Sequence, residues 1–361
     1  MPDWTKSMQQ TFEYYQVDPG TWGDMKLLDN VTNCTIDRDS DSETLGSASI
    51  DITESVGECY IRVYLITIQN GVREKFPLGT YLVQTPSSSF DGKVRSVTMD
   101  AYTPLLELKE NPTPLGYYIP KGVNLMDQAY MLTQEHARAP VVEPKSDKTV
   151  YSDFVADTDD TWLSFLSDLI ANNKHFYELD EMGRILFAPK QDTASLMPVW
   201  TFDDDNSSIL QPDISMSHDL YNIPNAVEVF YSSNSGASYY AKVVNDDESS
   251  PISTVNRGRE ILYRATNPEM TGDPTDEMIQ EYATQLLRDL SSVEYTVSYK
   301  HGYCPVRVGD CVRLNYQRAG IINIKARVIS QSISCKPGCT VTEKAVFTNR
   351  LWEGDNDESE Q

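Results

Sequence analysis

The sequence has little positive charge and little histidine for its length. Its 361 residues carry 30 Lys and Arg against 54 Asp and Glu, which gives a formal net charge of −24, and only 4 histidines. Binding to nucleic-acid phosphates depends on clustered Lys and Arg, so this balance argues against a surface that holds DNA or RNA. Stable binding to an anionic membrane surface is disfavoured for the same reason.

Long apolar runs are also missing. The sequence contains no stretch of about 20 apolar residues, and its start, MPDWTKSMQQTFEYYQ, lacks a basic region followed by an apolar one. We therefore expect a soluble protein that is made in a reducing cytoplasm. In such a protein the 6 cysteines are expected to be free thiols rather than a disulfide framework.

Short catalytic motifs are missing as well. There is no His-Glu-x-x-His, no Gly-x-Ser-x-Gly, no phosphate-binding loop and no Gly-x-Gly-x-x-Gly after a strand. None of the histidines has a Ser, Cys or carboxylate at the spacing of a general base and its orienting group: they are His136, His175, His218 and His301. We expect no enzyme, no catalytic residue and no cofactor, although glycosidase carboxylates have no short signature and a hydrolase stays open.

Two cysteine pairs raise the question of a zinc site. Cys335 and Cys339 have a spacing that zinc sites use, but Cys304 and Cys311 are further apart than the usual pattern. Both pairs also fall in segments that alternate like strands. We interpret them as buried structural thiols and predict that they hold no zinc.

An acidic segment, DRDSDSE at residues 37–43, resembles the opening of a calcium-binding loop. The position of the turn glycine is Ser42, and the position of the bidentate glutamate is Ala48. We therefore interpret the segment as a solvated acidic turn without metal, and interpret residues 203–206 in the same way.

The sequence is rich in tyrosine, with 21 residues, several of them in adjacent pairs. Tyrosine gives a large contact area with a polar tip, which is typical of surfaces that bind sugars or proteins. It also has a high β-propensity, which alone explains its frequency in a strand-rich chain. The composition does not decide between these two interpretations.

Residues 47–101 show the alternation typical of antiparallel strands. The segment CYIRVYLITI changes face at each residue, and Asn70-Gly71 and Asp91-Gly92 have the composition of hairpin turns. Prolines and glycines interrupt this pattern between Pro112 and Gly122, which indicates a domain boundary.

The next region has helical periodicity. In DDTWLSFLSDLIANN the apolar residues repeat every three or four positions, with Asp160 placed to cap the helix and Asn172 to end it. A hairpin should follow, with strands at 176–179 and 184–188 and a turn that closes through Gly183. A further helix is predicted at 124–137, so the region is α+β.

The last third returns to strands around one more helix. The segments NAVEVFYSS, EYTVSY, DCVRLNY, INIKARVIS and CTVTEKAVF read as strands. In the fourth, Ile322, Ile324, Ala326 and Val328 should share the buried face. A helix is predicted from Asp273, as N-cap, to Leu290.

This order of segments resembles the hub proteins at the distal end of phage tails. That family includes the baseplate hub of contractile-tailed phages, late control protein D, the base of type VI secretion spikes and the N-terminal part of tail-associated proteins of long-tailed phages. The resemblance covers most of residues 40–350 and rests on four segments: FPLGTYLVQTPSSSFDGKVRSVTMDAYTPLLEL, DTWLSFLSDLIANNKHFYELDEMGRILFAP, PISTVNRGREIL and VRVGDCVRL.

The resemblance implies an α+β, β-rich fold in which two tail-tube-like β-barrels flank α+β insertion domains. We accordingly assign residues 1–110 to the first barrel and 111–199 to an α+β domain. The second barrel should be discontinuous, with residues 200–235 pairing with 293–350. Residues 236–292 should form a helical insertion that packs with the α+β domain. An acidic tail at 351–361 is expected to be disordered.

In that family three subunits close a ring whose six barrels imitate the hexameric tail tube. The resemblance therefore implies a homotrimer in the virion, at the tail tip or baseplate, assembled from chains made in the host cytoplasm. Its implied partners are tail-tube or distal tail proteins, tip, spike or fibre proteins and the tape-measure protein, with DNA present only in transit.

Three further expectations follow from the resemblance. Gly309 and Asp310 should mark the turn into a barrel strand, with the cysteines incidental to function. The chain ends soon after the second barrel, so we expect the hydrolase or fibre-like extension of many relatives to be missing. Part of the acidic charge, in the runs 37–43, 157–160 and 203–205, should face the channel. The acidic charge could instead serve solubility alone.

The alternative function is a glycan-directed tail protein, either a cell-wall hydrolase or an adhesin.

Overall fold

A computed structural model of the chain describes residues 2–354 except positions 55, 91, 94, 192, 194, 206–207, 233–236 and 269–274. The chain divides into two compact units. The first unit comprises Met1–Ile214 and Ser298–Ala345, and the second comprises Ser215–Val297 and Val346–Gln361. Within the described residues, no helix is both long enough and apolar enough to cross a membrane.

The N-terminal part of the first unit is an antiparallel sheet with the strand order β3-β4-β7-β6-β5-β1-β2. Its strands are β1 (Gln9–Val17), β2 (Asp24–Leu28), β3 (Val31–Asp39), β4 (Gly46–Ile52), β5 (Tyr60–Gln69), β6 (Val72–Phe90) and β7 (Arg95–Tyr102). The expected turn at Asn70-Gly71 is confirmed, since both residues have positive φ angles, 52° and 79°, and join β5 to β6. The second expected turn falls partly on Asp91, which lies outside the described residues.

The central region adds three helices and two short sheets. Its elements are α1 (Leu106–Glu110), β8 (Tyr118–Ile119), α2 (Leu125–His136), β9 (Phe154–Val155), α3 (Trp162–Ala171), β10 (His175–Leu179) and β11 (Ile185–Pro189). Both helices predicted here, α2 and α3, are confirmed, as is the β10–β11 hairpin.

The cap of α3 differs from the prediction. Thr161 is the N-cap, because its backbone is extended and its hydroxyl accepts the Ser164 amide at 3.3 Å. Asp160 instead accepts a hydrogen bond from the Ser164 hydroxyl at 2.8 Å. The apolar faces of α2 and α3 share one core with residues of the N-terminal sheet, including Val17, Tyr60 and Leu82.

The remaining elements follow in chain order. They are β12 (Trp200–Asp203), β13 (Leu210–His218), β14 (Ala226–Ser232), β15 (Ser238–Val244), α4 (Thr254–Arg257), β16 (Leu262–Thr266), α5 (Asp276–Leu290), β17 (Ser292–Gly302), β18 (Cys311–Tyr316), β19 (Ile321–Ser334) and β20 (Thr340–Arg350). β19 pairs with β3, so N-terminal and C-terminal strands belong to one sheet, whose order continues from β19 through β20 and β17 to β13. β12 pairs in parallel with β18.

The placement of β14 contradicts the predicted second barrel. The segment NAVEVFYSS, 225–233, was expected to pair with strands after residue 293. Instead β14 is the centre of a three-stranded sheet, antiparallel to β15 and parallel to β16, within the second unit. Helix α5 covers this sheet through Ile279, Ala283 and Leu287. Alternation correctly predicts a strand, but it carries no information on which strand is the partner.

The start of helix α5 and the start of the C-terminal tail also differ from the predictions. Helix α5 begins at Asp276 with Thr275 as N-cap, whereas Asp273 was expected in that role and lies outside the described residues. The tail predicted to be disordered from residue 351 begins with a packed residue, because Trp352 is buried in the core of the second unit. Residues 355–361 lie outside the described residues.

The buried face of β19 is shifted at its start. Ala326 and Val328 are buried as predicted, but Ile322 is 66% exposed and its neighbour Ile321 takes the buried position. The reason is the backbone of Asn323, whose φ of 55° interrupts the strand alternation. The pairing with β18 shifts register at the same point.

The hairpin turn at Gly183 is packed against the N-terminal sheet. Gly183 has a φ of 76°, and a Cβ at this position would lie 2.7 Å from the Thr80 Cβ. Gly116 has nearly the same φ, 74°, but a Cβ there would meet nothing within 4 Å. Both glycines therefore have a left-handed backbone, but only at Gly183 would an added Cβ contact a neighbouring residue.

We expect Gly183→Ala to lower the free energy of unfolding more than Gly116→Ala does. Both changes incur the cost of a left-handed backbone, about 1–2 kcal/mol. Gly183→Ala adds overpacking against Thr80, which costs a further 1–3 kcal/mol, roughly. Urea unfolding of the two variants measures the difference, and equal losses would show that the turn does not pack on the sheet.

Candidate functional site

A buried arginine of the first unit holds this hairpin in place. Arg62, on β5, is 1% exposed. Its Nε donates to the Thr80 hydroxyl at 2.8 Å, and its Nη1 donates to Asp24 Oδ1 at 2.9 Å. Its Nη2 donates to the carbonyl oxygens of Trp22, at 3.1 Å, and Met182, at 3.2 Å. Because Met182 lies in the turn between β10 and β11, Arg62 fixes the hairpin against the sheet.

A cavity of about 350 Å³ lies between the docked hairpin, strands β3 and β6, and the turn before β18. Its apolar wall includes Leu45, Leu78 and Tyr177. The turn that closes it is the predicted one: Gly309 has a φ of 95°, and the Asp310 carboxylate accepts the Arg307 amide at 2.8 Å. Volumes of this size are typical of ligand and side-chain pockets.

Most charged side chains around the cavity form a hydrogen bond or an ion pair with another residue of the chain. Arg307 forms an ion pair with Glu181, which ties the hairpin turn to the turn before β18. Arg38 donates to the Leu78 carbonyl at 2.7 Å. Asp180 accepts the Arg184 amide at 2.8 Å. The hydrogen bonds and ion pairs of these groups are therefore formed within the chain.

Two charged residues of the cavity, Glu178 and Arg327, differ from these groups in their bonding. Both line the cavity, yet neither forms a side-chain hydrogen bond or an ion pair with any residue that the structure describes. Partial burial, with the nearby Asp310 and Asp180 charges, raises the pKa of Glu178, and only Arg307 opposes the shift. Burial also raises the pKa of Asp310. Within the described residues the cavity thus contains one carboxylate and one guanidinium that form no side-chain hydrogen bond or ion pair, and the opposing charge on Glu178 is that of Arg307.

The rim of the cavity exposes apolar side chains to solvent. Met197 is 83% exposed, and Phe176 is 41% exposed. Val199 is exposed beside them. Isolated apolar residues on a surface are normal, but an apolar rim around a concave site marks a place where another molecule can bury area.

A second polar cluster is fully buried. Glu343, on β20, accepts a hydrogen bond from Gln331 at 2.7 Å and another from the Tyr299 hydroxyl. His301 places its Nε2 3.3 Å from the same carboxylate, and its Nδ1 donates to the Gly302 carbonyl at 2.7 Å. Because the groups of the cluster are buried and bonded to one another, it serves the core rather than a ligand.

The histidines are not gathered into one site. His301 lies in the buried cluster, His136 stacks on Trp162, and His218 stacks on Tyr295. His175 places its Nδ1 2.7 Å from the Asn173 carbonyl. Sequence reasoning named these residues without a role, and it did not identify Arg62, Glu178 or the cavity.

Five of the six cysteines are buried free thiols, and Cys59 is half-buried. Cys335 follows directly on the β3–β19 pairing and donates its amide to the Cys34 carbonyl at 3.0 Å. Burial raises the pKa of the Cys339 and Cys304 thiols well above their usual value. Within the described part of the chain, no group of three or more His, Cys, Asp or Glu residues has the arrangement of a metal site.

The acidic runs lie at strand ends and turns. Asp37 and Asp39 are in β3 rather than in the expected turn, and the adjoining turn exposes Asp41. Asp203, at the end of β12, accepts a hydrogen bond from Asn315 at 2.9 Å. Residues 157–159 are exposed before α3.

Comparison with known proteins finds this fold in phage tail proteins. The tail protein from Neisseria meningitidis MC58 matches over 93% of this chain and 97% of its own, with a TM-score of 0.60 and 13% identity. The 43 kDa tail protein of prophage MuSo2 from Shewanella oneidensis matches over 93% and 98%, with a TM-score of 0.59 and 11% identity. No protein-family model and no curated protein matches the sequence.

A longer relative matches over part of its length. A chain in the lidded structure of the Francisella PdpA–VgrG complex aligns with 94% of this chain and 53% of its own length, with a TM-score of 0.53 and 8% identity. The chain therefore has a strand-rich fold that it shares with phage tail proteins, and the resemblance expected from the sequence is confirmed for the fold.

Thiol reactivity should follow burial. We expect at most one thiol per chain, Cys59, to react with a disulfide reagent in the native state, and all six to react after unfolding. Cys59→Ser should remove the native-state reaction. Rapid reaction of two or more thiols in the native protein would contradict this description.

Metal analysis of the purified protein tests the zinc prediction separately. We expect no stoichiometric zinc. One equivalent of zinc per chain, lost together with folding when Cys335 and Cys339 are replaced by Ser, would overturn the prediction.

Proposed function

We propose that this protein is the structural hub of a phage tail tip or baseplate. Three copies form a ring that adapts the hexameric tail tube to the distal tip. The observation that carries the proposal is the match with two tail proteins over 93% of this chain and nearly all of theirs. A fold shared from end to end supports a common architectural role, although fold alone does not determine function.

The proposal includes two tail-tube-like barrels. The seven antiparallel strands β1 to β7, within residues 1–110, support the first. The second takes the strands of 200–218 together with those of 292–350, because β12 pairs with β18 and β13 lies beside β17. Residues 111–199 are the α+β domain between them, and β14 belongs to an insertion.

One sheet edge supports contact between copies. β2 ends the strand order and pairs only with β1 among the described strands. It is short, and it exposes Met25 and Leu27 to solvent. An edge with free backbone groups and apolar side chains is suited to contact with a neighbouring subunit. We propose that the β2 edge lies in the trimer interface.

The proposed ring contacts tail-tube or distal tail proteins on one side and tip, spike or fibre proteins on the other. It surrounds a channel for the tape-measure protein and DNA. The net charge of −24 supports an acidic channel wall, since attraction to phosphate would add a binding step during transit. In this proposal the protein has no enzymatic activity of its own, and its location is the virion tail.

Light scattering of the purified protein tests the trimer. We expect a particle of three times the chain mass of 40.8 kDa. Met25→Glu should lower the trimer fraction, because it places a charge at the proposed interface. Met131→Glu, at an exposed methionine of α2, is the control and should leave the trimer unchanged. A monomer at all concentrations would contradict the proposal.

A cryo-EM map of the tail tip tests the channel in the same particles. The expected result is a threefold ring whose inner wall carries more Asp and Glu than Lys and Arg. A neutral or basic wall would rule out the repulsion argument. Clearing of cell-wall substrate by the isolated protein would favour the glycan-directed alternative.

A further inference from the structure

The cavity behind the β10–β11 hairpin has the composition of a binding site. The neighbouring ions Glu181 and Arg307 neutralise each other, and Arg38 is bonded to the sheet. Glu178 and Arg327 stay without hydrogen bonds or ion pairs in the part of the chain that the structure describes. A partly buried charge without a hydrogen bond or ion pair lowers stability, and such a group in a cleft is a candidate for contact with a ligand.

The two unpaired groups define what the ligand must offer. Glu178 requires a cation or a strong hydrogen-bond donor. Arg327, a guanidinium with five N–H donors, requires carbonyl or carboxylate oxygens. Glu178 lies on β10 and Arg327 on β19, so the two groups come from separate elements of the cavity wall.

The apolar surface sets a third requirement. Leu45, Leu78 and Tyr177 form the wall, and Phe176 and Met197 extend it outward at the rim. A small inorganic ion or a free sugar would leave this surface in water. An apolar chain without charge would leave Glu178 unpaired. The ligand must combine apolar groups with one cation and with hydrogen-bond acceptors.

We propose that the cavity binds an extended segment of a partner polypeptide in which a Lys or Arg is flanked by apolar residues. The basic side chain enters beside Glu178, the backbone carbonyls of the segment accept from Arg327, and the flanking apolar side chains cover Phe176 and Met197. Such a segment supplies all three features in one molecule. The positive charge of the segment is also complementary to the net negative charge of this protein.

This site goes beyond the proposed hub function and does not depend on it. All the residues that form it lie within one compact unit of a single chain. A monomeric protein would retain the cavity, and a trimer without peptide binding would retain the hub role. The two proposals can therefore fail separately.

Titration calorimetry with capped tripeptides tests the proposal. We expect the peptide Leu-Lys-Leu, acetylated and amidated, to bind the full chain at least ten times more tightly than Leu-Gln-Leu or Leu-Glu-Leu. Glu178→Gln should reduce the preference for the lysine peptide over the glutamine peptide to less than twofold. Met197→Ser should weaken all the peptides alike, because it removes apolar contact area only.

Two controls separate a loss of binding at Glu178 from a general loss of charge or of folding. Glu281→Gln removes an exposed carboxylate from α5, in the second unit, and should bind all peptides like the unmodified protein. Unchanged thermal unfolding of Glu178→Gln shows that lost binding is not lost folding. Equal affinity for the three peptides would overturn the proposal. Octylamine binding as tightly as the lysine peptide would also overturn it, since the cavity would then recognise a small amphiphile rather than a polypeptide.

Discussion

The architecture of the first unit depends on one buried guanidinium. An arginine has five N–H donors and no acceptor, and it stays charged at any physiological pH, so a buried one must be surrounded by oxygens. Arg62 meets this requirement with oxygens from three places in the chain: the β1–β2 loop and Asp24, the Thr80 hydroxyl of β6, and the Met182 carbonyl of the hairpin turn. Trp22 Nε1 and the Thr80 hydroxyl donate to the same Met182 carbonyl, at 2.8 and 2.9 Å. The hairpin therefore cannot leave the sheet without exposing several buried polar groups at once.

This attachment produces the features to which we assign function. Once the turn is held against β5 and β6, Glu181 reaches Arg307, and the hairpin links the N-terminal strands to the turn before β18. The space enclosed between these elements is the cavity, with Glu178 on the same hairpin. If the proposed ring and peptide site both hold, a pocket at a junction that is fixed on two sides would stay in place within the ring.

Local structure could be predicted from the sequence, whereas long-range pairing could not. Helices α2 and α3 and the β10–β11 hairpin with Gly183 follow from periodicity and turn composition within short windows. The Gly309 turn was expected from the resemblance to the hub family. The partners of β14, the burial of Trp352 and the shifted face of β19 at Asn323 depend on residues far away in the chain or on one backbone angle. The site was missed for the same reason. Arg62 and Glu178 are ordinary alternating residues of strands, and only the fold brings them to Met182 and to the cavity.

Hydrogen exchange of the β10–β11 hairpin in Arg62→Met tests the central role of Arg62 most directly. Loss of a buried, hydrogen-bonded charge costs about 3–5 kcal/mol, so protection of the hairpin amides should fall by about a hundredfold or more. Arg73→Met is the matched control, because Arg73 forms an exposed ion pair with Glu13 on the same sheet and should lower protection by less than about fivefold. Equal protection of the hairpin in the two variants would contradict the account, since the hairpin would then be held on the sheet without the buried guanidinium.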